Sequence, residues 1–382
     1  MPGHPAKRIL LNRLFLVAAV FAFSQVIAAI VLHYLNLAYF KPDTWFHWDS
    51  GNYLSIATDG YYMRRCDSSF DYPDDSPYMC GNTGWFPGYP CLIRLILFFG
   101  SDPRLAGEII AKTACFLMLY LVVVLAEIKT LTLRNFLFLC LAALQFGFIY
   151  YSAIFPLSVT LVIALSALYA FRTGRTILAG LLCFLIPLFY PTGFLLGFVF
   201  AIYVLINGEG TIKQKLFSAL KYACLSILGL LAVFAIFQFT VGDWQAFTKV
   251  QEKFGNGGFR NPFVFLSGHL LTAAAGPYHI NNFAFYQTIC VAVCYLAISV
   301  LFFVKRGYND SLSLWSYIYL NLFFFFPWSV CGNLSTYRAE AMLLPCVFIV
   351  RELKTYWLIL PVIILVAVGV PMTRLFFIDI LI

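Results

Sequence analysis

Windows of about 20 mostly apolar residues return along this whole chain, and that recurrence leaves few folds open. A hydrocarbon core about 30 Å thick is crossed by a helix of about that length. The runs are continuous, rich in Leu and Phe, and do not alternate, which favours helices over a barrel. They fall near 12–36, 105–127, 135–150, 154–171, 176–189, 192–206, 217–240, 284–304, 311–329, 339–350 and 355–375. The expectation is an all-α polytopic membrane protein of 11 spans, a single domain over residues 1–382. Composition agrees, with 11% charged residues where a soluble domain carries about a quarter. The first run imitates a signal peptide, but its apolar part is too long and no small-residue cleavage site closes it, so a retained helix is expected.

The formal charge of +8 does not point to nucleic acid, because the basic residues are scattered in short clusters between apolar runs. With the N-terminus cytoplasmic, one set of loops contains Lys7, Arg8, Arg13, Lys129, Arg134, Arg172, Arg175, Lys213, Lys215, Lys305, Arg306, Arg351 and Lys354. Each short loop of that set is basic, as the positive-inside rule asks. The opposite set holds a long loop at 37–104 and a medium one at 241–283, with tight turns around 150–154, 190–192 and 330–338. The long loop carries eight acids: Asp43, Asp49, Asp59, Asp67, Asp71, Asp74, Asp75 and Asp102. This face is therefore expected in the periplasm, the exterior or an organelle lumen, away from nucleotide sugars. A bacterial plasma membrane is the expected location, with the endoplasmic reticulum as the alternative.

Within the long loop, "FHWDSGNYLSIATDGY" (46–61) places Asp49 beside Trp48 and near Trp45. Desolvation there would raise its proton affinity and suit it to act as a base toward a hydroxyl. The plainer role is a helix N-cap, by Asp49 or Ser50. "GWFPGYPCLIRLILFFG" (84–100) is aromatic, amphipathic and too short to span, so it reads as an interfacial helix or one wall of a lipid-admitting groove. "QFGFIYYSAIFPLS" and "LFYPTGFLLG" put Tyr150, Tyr151, Ser152, Tyr190 and Thr192 at breaks in the spans, where they either line an outward cavity or form ordinary hairpins. In the second loop Lys249, Lys253 and Arg260 are candidates for a lipid phosphate or for plain headgroup contact, and Arg338 enters a span from the outer side. Cys66 and Cys80 lie on the oxidising side, so a disulfide is expected over two free thiols; closing that loop would contribute about 3 kcal/mol. Asp74-Asp75 sits in a turn-like context, and no metal site, Walker A loop, dinucleotide fingerprint or HExxH is found in the sequence.

The stretch 46–61 followed by "GWFPGYPCLIRL" resembles the PIG-V family of mannosyltransferases, in the GT-C group of polytopic glycosyltransferases. The resemblance rests on Trp48, Asp49, Tyr53, Ile56, Ala57, Gly60 and Tyr61, then Phe86, Pro87, Tyr89, Pro90, Leu92, Ile93 and Arg94. "YSAIFPLS", "YPTG", "GDWQAFTKVQ" and "STYRAEAMLLP" follow in the family's order, with Tyr190 where an Arg is common and Tyr337-Arg338 in reversed order.

What the family implies is inverting transfer of a sugar, mannose by analogy, from a polyprenyl- or dolichyl-phosphate donor to a hydroxyl of a glycolipid, glycan or protein. Asp49 would be the base. Trp48, Asn52, Tyr53, Tyr89, Tyr151 and Ser152 would contact substrate, and Arg338 with Arg260, Lys249 or Lys253 would neutralise the leaving phosphate. A monophosphate leaving group requires no metal, and no cofactor is expected beyond the lipid-linked donor itself. Two other classes remain open: a secondary transporter or flippase of lipid-linked sugars, and a non-catalytic subunit that keeps the fold. Few mid-span charges and no visible repeat speak against the transporter.

Overall fold

The computed structural model describes residues 5–254, 259, 261, 281–330 and 336–379. Along the chain run α1 (Pro5–Tyr34), α2 (Ser50–Thr58), the antiparallel pair β1 (Met63–Arg65) and β2 (Met79–Gly81), α3 (Gly88–Leu97), α4 (Pro103–Leu125), α5 (Leu133–Ala143), α6 (Leu157–Arg172), α7 (Thr176–Leu185), α8 (Leu195–Asn207), α9 (Ile212–Val241), α10 (Ala246–Glu252), α11 (Asn281–Val304), α12 (Ser311–Val330), α13 (Thr336–Glu340) and α14 (Thr355–Phe377). Helix dominates, and each apolar run of the sequence falls on it. Among the described residues, four helices, α1, α4, α9 and α14, are by themselves long and apolar enough to cross a membrane. Several of the others are shorter because the backbone breaks: α7 tightens into a 3-10 turn at Ile186–Leu188, α8 follows another at Pro191–Phe194, and α13 continues as the 3-10 stretch Ala341–Val350.

Local chemistry sets several helix starts. The Asp102 carboxylate accepts from the backbone N–H groups of Arg104 and Leu105, with Pro103 at the first helical position of α4. Thr211 and Gln214 form a reciprocal capping box on α9. Packing then uses small residues, as it must between helices that gain little from burial against lipid. A Cβ at Gly229 would stand 2.0 Å from the carbonyl oxygen of Phe184, so only glycine lets α9 cross α7 there.

One apolar core, with buried Val17, Leu119, Phe138, Leu165, Phe200 and Tyr319, runs through the bundle. Its outer surface is also apolar: Phe15 is 66% exposed, Phe239 88% and Ile363 57%. A row of such side chains suits a hydrocarbon surround, not water.

The bundle has two chemically distinct ends. At one, the basic loops meet: Asn12 and Arg13 donate to the carbonyls of Lys129 and Ile128, Arg172 reaches Leu125 O and Glu127, and Arg134 reaches Leu353 O. Residues far apart in sequence thus share one end, as the loop-charge alternation predicts. The other end carries the two long loops. There α3 lies with Phe98 and Phe99 exposed at its tip, and the Cys66–Cys80 disulfide joins β2 to the residue after β1.

Candidate functional site

The segment carrying Asp49 is fastened from several sides before any question of chemistry arises. Ahead of it, Trp45 is fully buried, donates its indole N–H to Tyr39 O, and receives the Lys112 ammonium 4.0 Å over its ring. Lys112 in turn pairs with Glu108 one helical turn back, at 2.5 Å. His47 sits between Asp379 at 2.7 Å and Thr44 O at 3.1 Å, which ties the end of α14 to this loop. Trp48 has φ 51°, a left-handed conformation that costs a bulky residue energy and turns the chain into α2.

Asp49 occupies the N-cap position of α2, yet its side chain caps nothing. Ser50 does not serve either, because its hydroxyl donates to Ile154 O and accepts from His47 N. The expected capping role is therefore corrected. Asp49 contributes only its backbone carbonyl, to Asn52 N and Tyr53 N, and its carboxylate is left for Arg338. That ion pair, with each side chain 17% exposed, joins α13 to the start of α2. The Arg338 guanidinium also lies over Phe155, 5.8 Å from its centroid.

The far end of α2 is held as firmly. Arg94 on α3 donates to Ala57 O at 2.7 Å and Ile56 O at 2.9 Å, satisfying terminal helix carbonyls. Asn82 bridges Gly60 O, Ser55 Oγ and Tyr62 N. Arg94 is thus a positioning residue for the helix that presents Asp49, a part the sequence pattern gave no reason to assign.

Above the ion pair opens a cavity of about 540 Å3. Asp49, Tyr53 and Arg338 form its polar floor, Phe155, Phe194, Leu230, Phe234 and Phe326 its apolar walls, and Trp85 with Thr248, Gln251 and Glu252 its rim. The rim exists because the two long loops dock: Thr83 Oγ1 donates to Ala246 O, Gln251 Nε2 to Gly84 O, and Phe86 packs on Phe247 with ring centroids 5.0 Å apart. Burial, reinforced by the neighbouring Asp49 charge, holds the Tyr53 phenol well above its ordinary range. It stays protonated and able to donate into the cavity.

Of the expected substrate contacts, Asp49, Tyr53 and Arg338 meet at this cavity, and Tyr190 and Thr192 line it as well. The remaining contacts are elsewhere. Tyr89 is buried beneath Tyr53 and donates to Gly107 O. Tyr151 donates to Ala341 O, and Ser152 accepts from Gln25 within the core. The Tyr89 and Tyr151 hydroxyls are spent on backbone carbonyls, and that of Ser152 on the Gln25 side-chain amide. Trp48 packs against the core, its indole N–H buried without a partner among the described residues. Asn52 does not line the cavity among the described residues. Lys249 turns away to Asp243, at 2.5 Å, and that hydrogen bond holds the Asp243 carboxyl below its ordinary value. Lys253 reaches the Cys80 sulfur at 3.5 Å. Arg260, like the rest of the second loop over 262–280, lies outside the described residues.

Phe155, Phe194, Thr248 and Glu252 were missed as cavity residues. Nothing local distinguishes the aromatics from the 41 Phe in the chain. The α10 face was in principle legible, since 248, 251 and 252 share one side of a helix while 249 and 253 share another. Compared with known proteins, no family model matches this chain, and no curated protein matches it.

Proposed function

We propose that the protein is a GT-C-type glycosyltransferase that moves a sugar, mannose by its resemblance to the PIG-V family, from a polyprenyl-phosphate donor to an acceptor hydroxyl, with inversion. In this reading the chain crosses the membrane eleven times, its basic end and N-terminus facing the cytoplasm of a bacterial plasma membrane and its cavity facing outward. The observation that carries the reading is the Asp49–Arg338 pair at the floor of a cavity walled by apolar residues of α9 and α12. A reacting pair of opposite charge beneath an apolar, membrane-level wall suits a substrate that has a charged phosphate on a hydrocarbon chain.

The step balances as follows. Asp49 takes the proton from the acceptor O–H, that oxygen forms a bond to C1 of the sugar, and the bond from C1 to the phosphate oxygen breaks with its electron pair. Polyprenyl phosphate leaves with the added charge, which Arg338 and the Tyr53 hydroxyl neutralise. The resting ion pair implies an order of events. In that pair the Asp49 carboxylate is occupied by the Arg338 guanidinium. A donor phosphate arriving at Arg338 competes for that cation and frees Asp49 for the acceptor proton. Positioning supplies the remainder, and the tethers at both ends of α2 serve it.

The test is purified protein incubated with radiolabelled polyprenyl-phosphate sugars and a membrane glycan extract. Donor consumption and a labelled product that require Asp49 support the proposal. Consumption that is equal in Asp49→Asn removes the enzyme reading and leaves a transporter or an assembly subunit.

A further inference from the structure

The basic end of the bundle has a cavity of its own, at the turn between α11 and α12. Residues 305–310 reverse the chain there. The turn is tight: Arg306 takes a left-handed φ of 54°, and a Cβ at Gly307 would stand 2.4 Å from the Phe302 ring. The cavity, of about 310 Å3, is lined by Lys305, Arg306, Asn309 and Arg351 over the apolar Leu301 and Phe348. It is separate from the Asp49 cavity. That one meets α12 at Phe326 and Val330, and this one meets it at Asp310 and Ser313.

The charges lining it fall into two groups. Arg351 is committed to the fold, donating to Asp310 and to Ser313 Oγ. Glu352 lies 3.5 Å from Arg351 with its side chain 73% exposed, so water and salt screen it. Glu127, which faces Arg351 from a neighbouring loop, is paired with Arg172. Lys305 and Arg306 differ. Both are exposed, and neither side chain has a hydrogen bond or ion pair among the described residues. The Asn309 side-chain amide beside them is likewise without a partner there. An ammonium, a guanidinium fork and an amide are thus all left to donate at one cavity mouth.

The cavity also has an apolar continuation. Positions 290, 294, 297, 301 and 305 share one side of α11, spaced by three or four residues. Below Lys305 that side carries Leu301, Ala297, Cys294 and Cys290. Leu301, Cys294 and Cys290 are half-buried and Ala297 is exposed, so the face is a shallow apolar track, neither packed shut nor fully open. It runs from the cavity into the depth of the bundle.

We propose that this cavity binds one anionic phospholipid from the leaflet at the basic end. Its phosphodiester meets Lys305, Arg306 and Asn309, and an acyl chain follows the α11 track. The proposal goes beyond the transferase reading and does not depend on it; it needs only the bundle in a bilayer. A guanidinium fork takes two phosphate oxygens at once, and basic groups at a helix end attract anionic headgroups. A choline headgroup would bring a second cation against Lys305 and Arg306 and lose that attraction. A soluble phosphate would use the donors and leave the track empty, which is why the lipid is the fitting source of the anion.

The test is native mass spectrometry of the full-length protein released from nanodiscs holding equal amounts of phosphatidylglycerol and phosphatidylcholine, followed by titration with each lipid. Wild type should keep one phosphatidylglycerol under conditions that strip phosphatidylcholine. Lys305→Gln/Arg306→Gln should weaken phosphatidylglycerol binding about 25-fold, about fivefold for each cation near a membrane surface. The charge-preserving Lys305→Arg/Arg306→Lys should stay within about twofold of wild type. So should Lys213→Gln/Lys215→Gln, a basic pair that lines neither cavity. Equal retention of the two lipids by wild type, unchanged binding in Lys305→Gln/Arg306→Gln, or an equal loss in Lys213→Gln/Lys215→Gln overturns the site. Glycerophosphoglycerol, the headgroup without chains, should not displace the lipid at equal concentration. If it does, a soluble phosphate ester is the ligand and the lipid assignment is overturned.

Discussion

Two Asp–Arg pairs stand at opposite ends of α12, a helix of 20 residues and therefore about 30 Å long. At the basic end Asp310 accepts from Ser313 N and from Arg351, both at 2.7 Å, and Arg351 goes on to Ser313 Oγ and Phe348 O. The carboxylate caps its helix and the guanidinium fills its fork. Burial there raises the Asp310 carboxyl, but the bonds from Arg351 and Ser313 outweigh it and hold the group down at about 2. At the other end Asp49 occupies the same N-cap position on α2, leaves the helix uncapped, and meets Arg338 over a cavity. The residue types are the same. What differs is how much of their hydrogen-bonding capacity the protein itself uses. Asp310 is spent on the fold, whereas Asp49 keeps lone pairs for something that enters.

The largest expected effect follows from that contrast. Asp49→Asn should cut transfer by about 10²–10⁴-fold while the unfolding temperature stays within a few degrees of wild type. If it mainly unfolds the protein, the two pairs are alike and the contrast is broken. Arg338→Ala should lower kcat/KM for the donor by about 10²–10³-fold, with Arg338→Lys between it and wild type. Equal donor kinetics in both would place the phosphate elsewhere.

Stability changes are expected where activity changes are not. Replacing Cys66 and Cys80 with Ser should cost up to about 3 kcal/mol of unfolding free energy. Because β2 packs beside α10, it should also loosen the cavity rim, read as faster hydrogen exchange over 246–252. Unchanged exchange there would separate the disulfide from the site.

The smallest effect sharpens the comparison from the basic end. Asp310→Asn should lower the unfolding temperature by a few degrees and leave kcat untouched. The folded carboxyl lies below its ordinary value of 3.8. Its contribution is therefore complete above about pH 4 and disappears as pH falls through about 2. The gap between wild type and Asp310→Asn should be constant from pH 5 to 8 and close in acid. Since the Asp310 side chain is 37% exposed, salt should narrow the gap as well. A gap that widens in acid would contradict the assignment.

How far the sequence carries varies with the kind of interaction. Apolar runs predict where helices stand, because a bilayer imposes the same length and polarity on each crossing whatever its neighbours are. The loop charges predict which loops share an end; the contacts of Arg13 and Arg134 join those loops across more than a hundred residues, and that of Arg172 to Leu125 across 47. Asp49 and Arg338 each stand out as ionisable residues in aromatic or apolar surroundings. Their pairing over 289 positions does not.

Polar residues at helix breaks misled for a definable reason. Tyr151, Ser152 and Tyr89 look like cavity lining because hydroxyls are costly in a membrane. The same cost is met when Tyr151 and Tyr89 donate to backbone carbonyls and Ser152 accepts from Gln25, and only the packed structure decides between the two. Lys249 and Lys253 misled because positive charge suggests phosphate, while the docking of a seven-residue helix chose the opposite face. The sequence by itself determined the helical membrane architecture, the segregation of charge to one end, and the acid at the start of α2. The tertiary structure alone decided which side chains were already satisfied, and so which remained available at the cavity, because a hydrogen bond is assigned by the geometry of both partners and residue type describes only one.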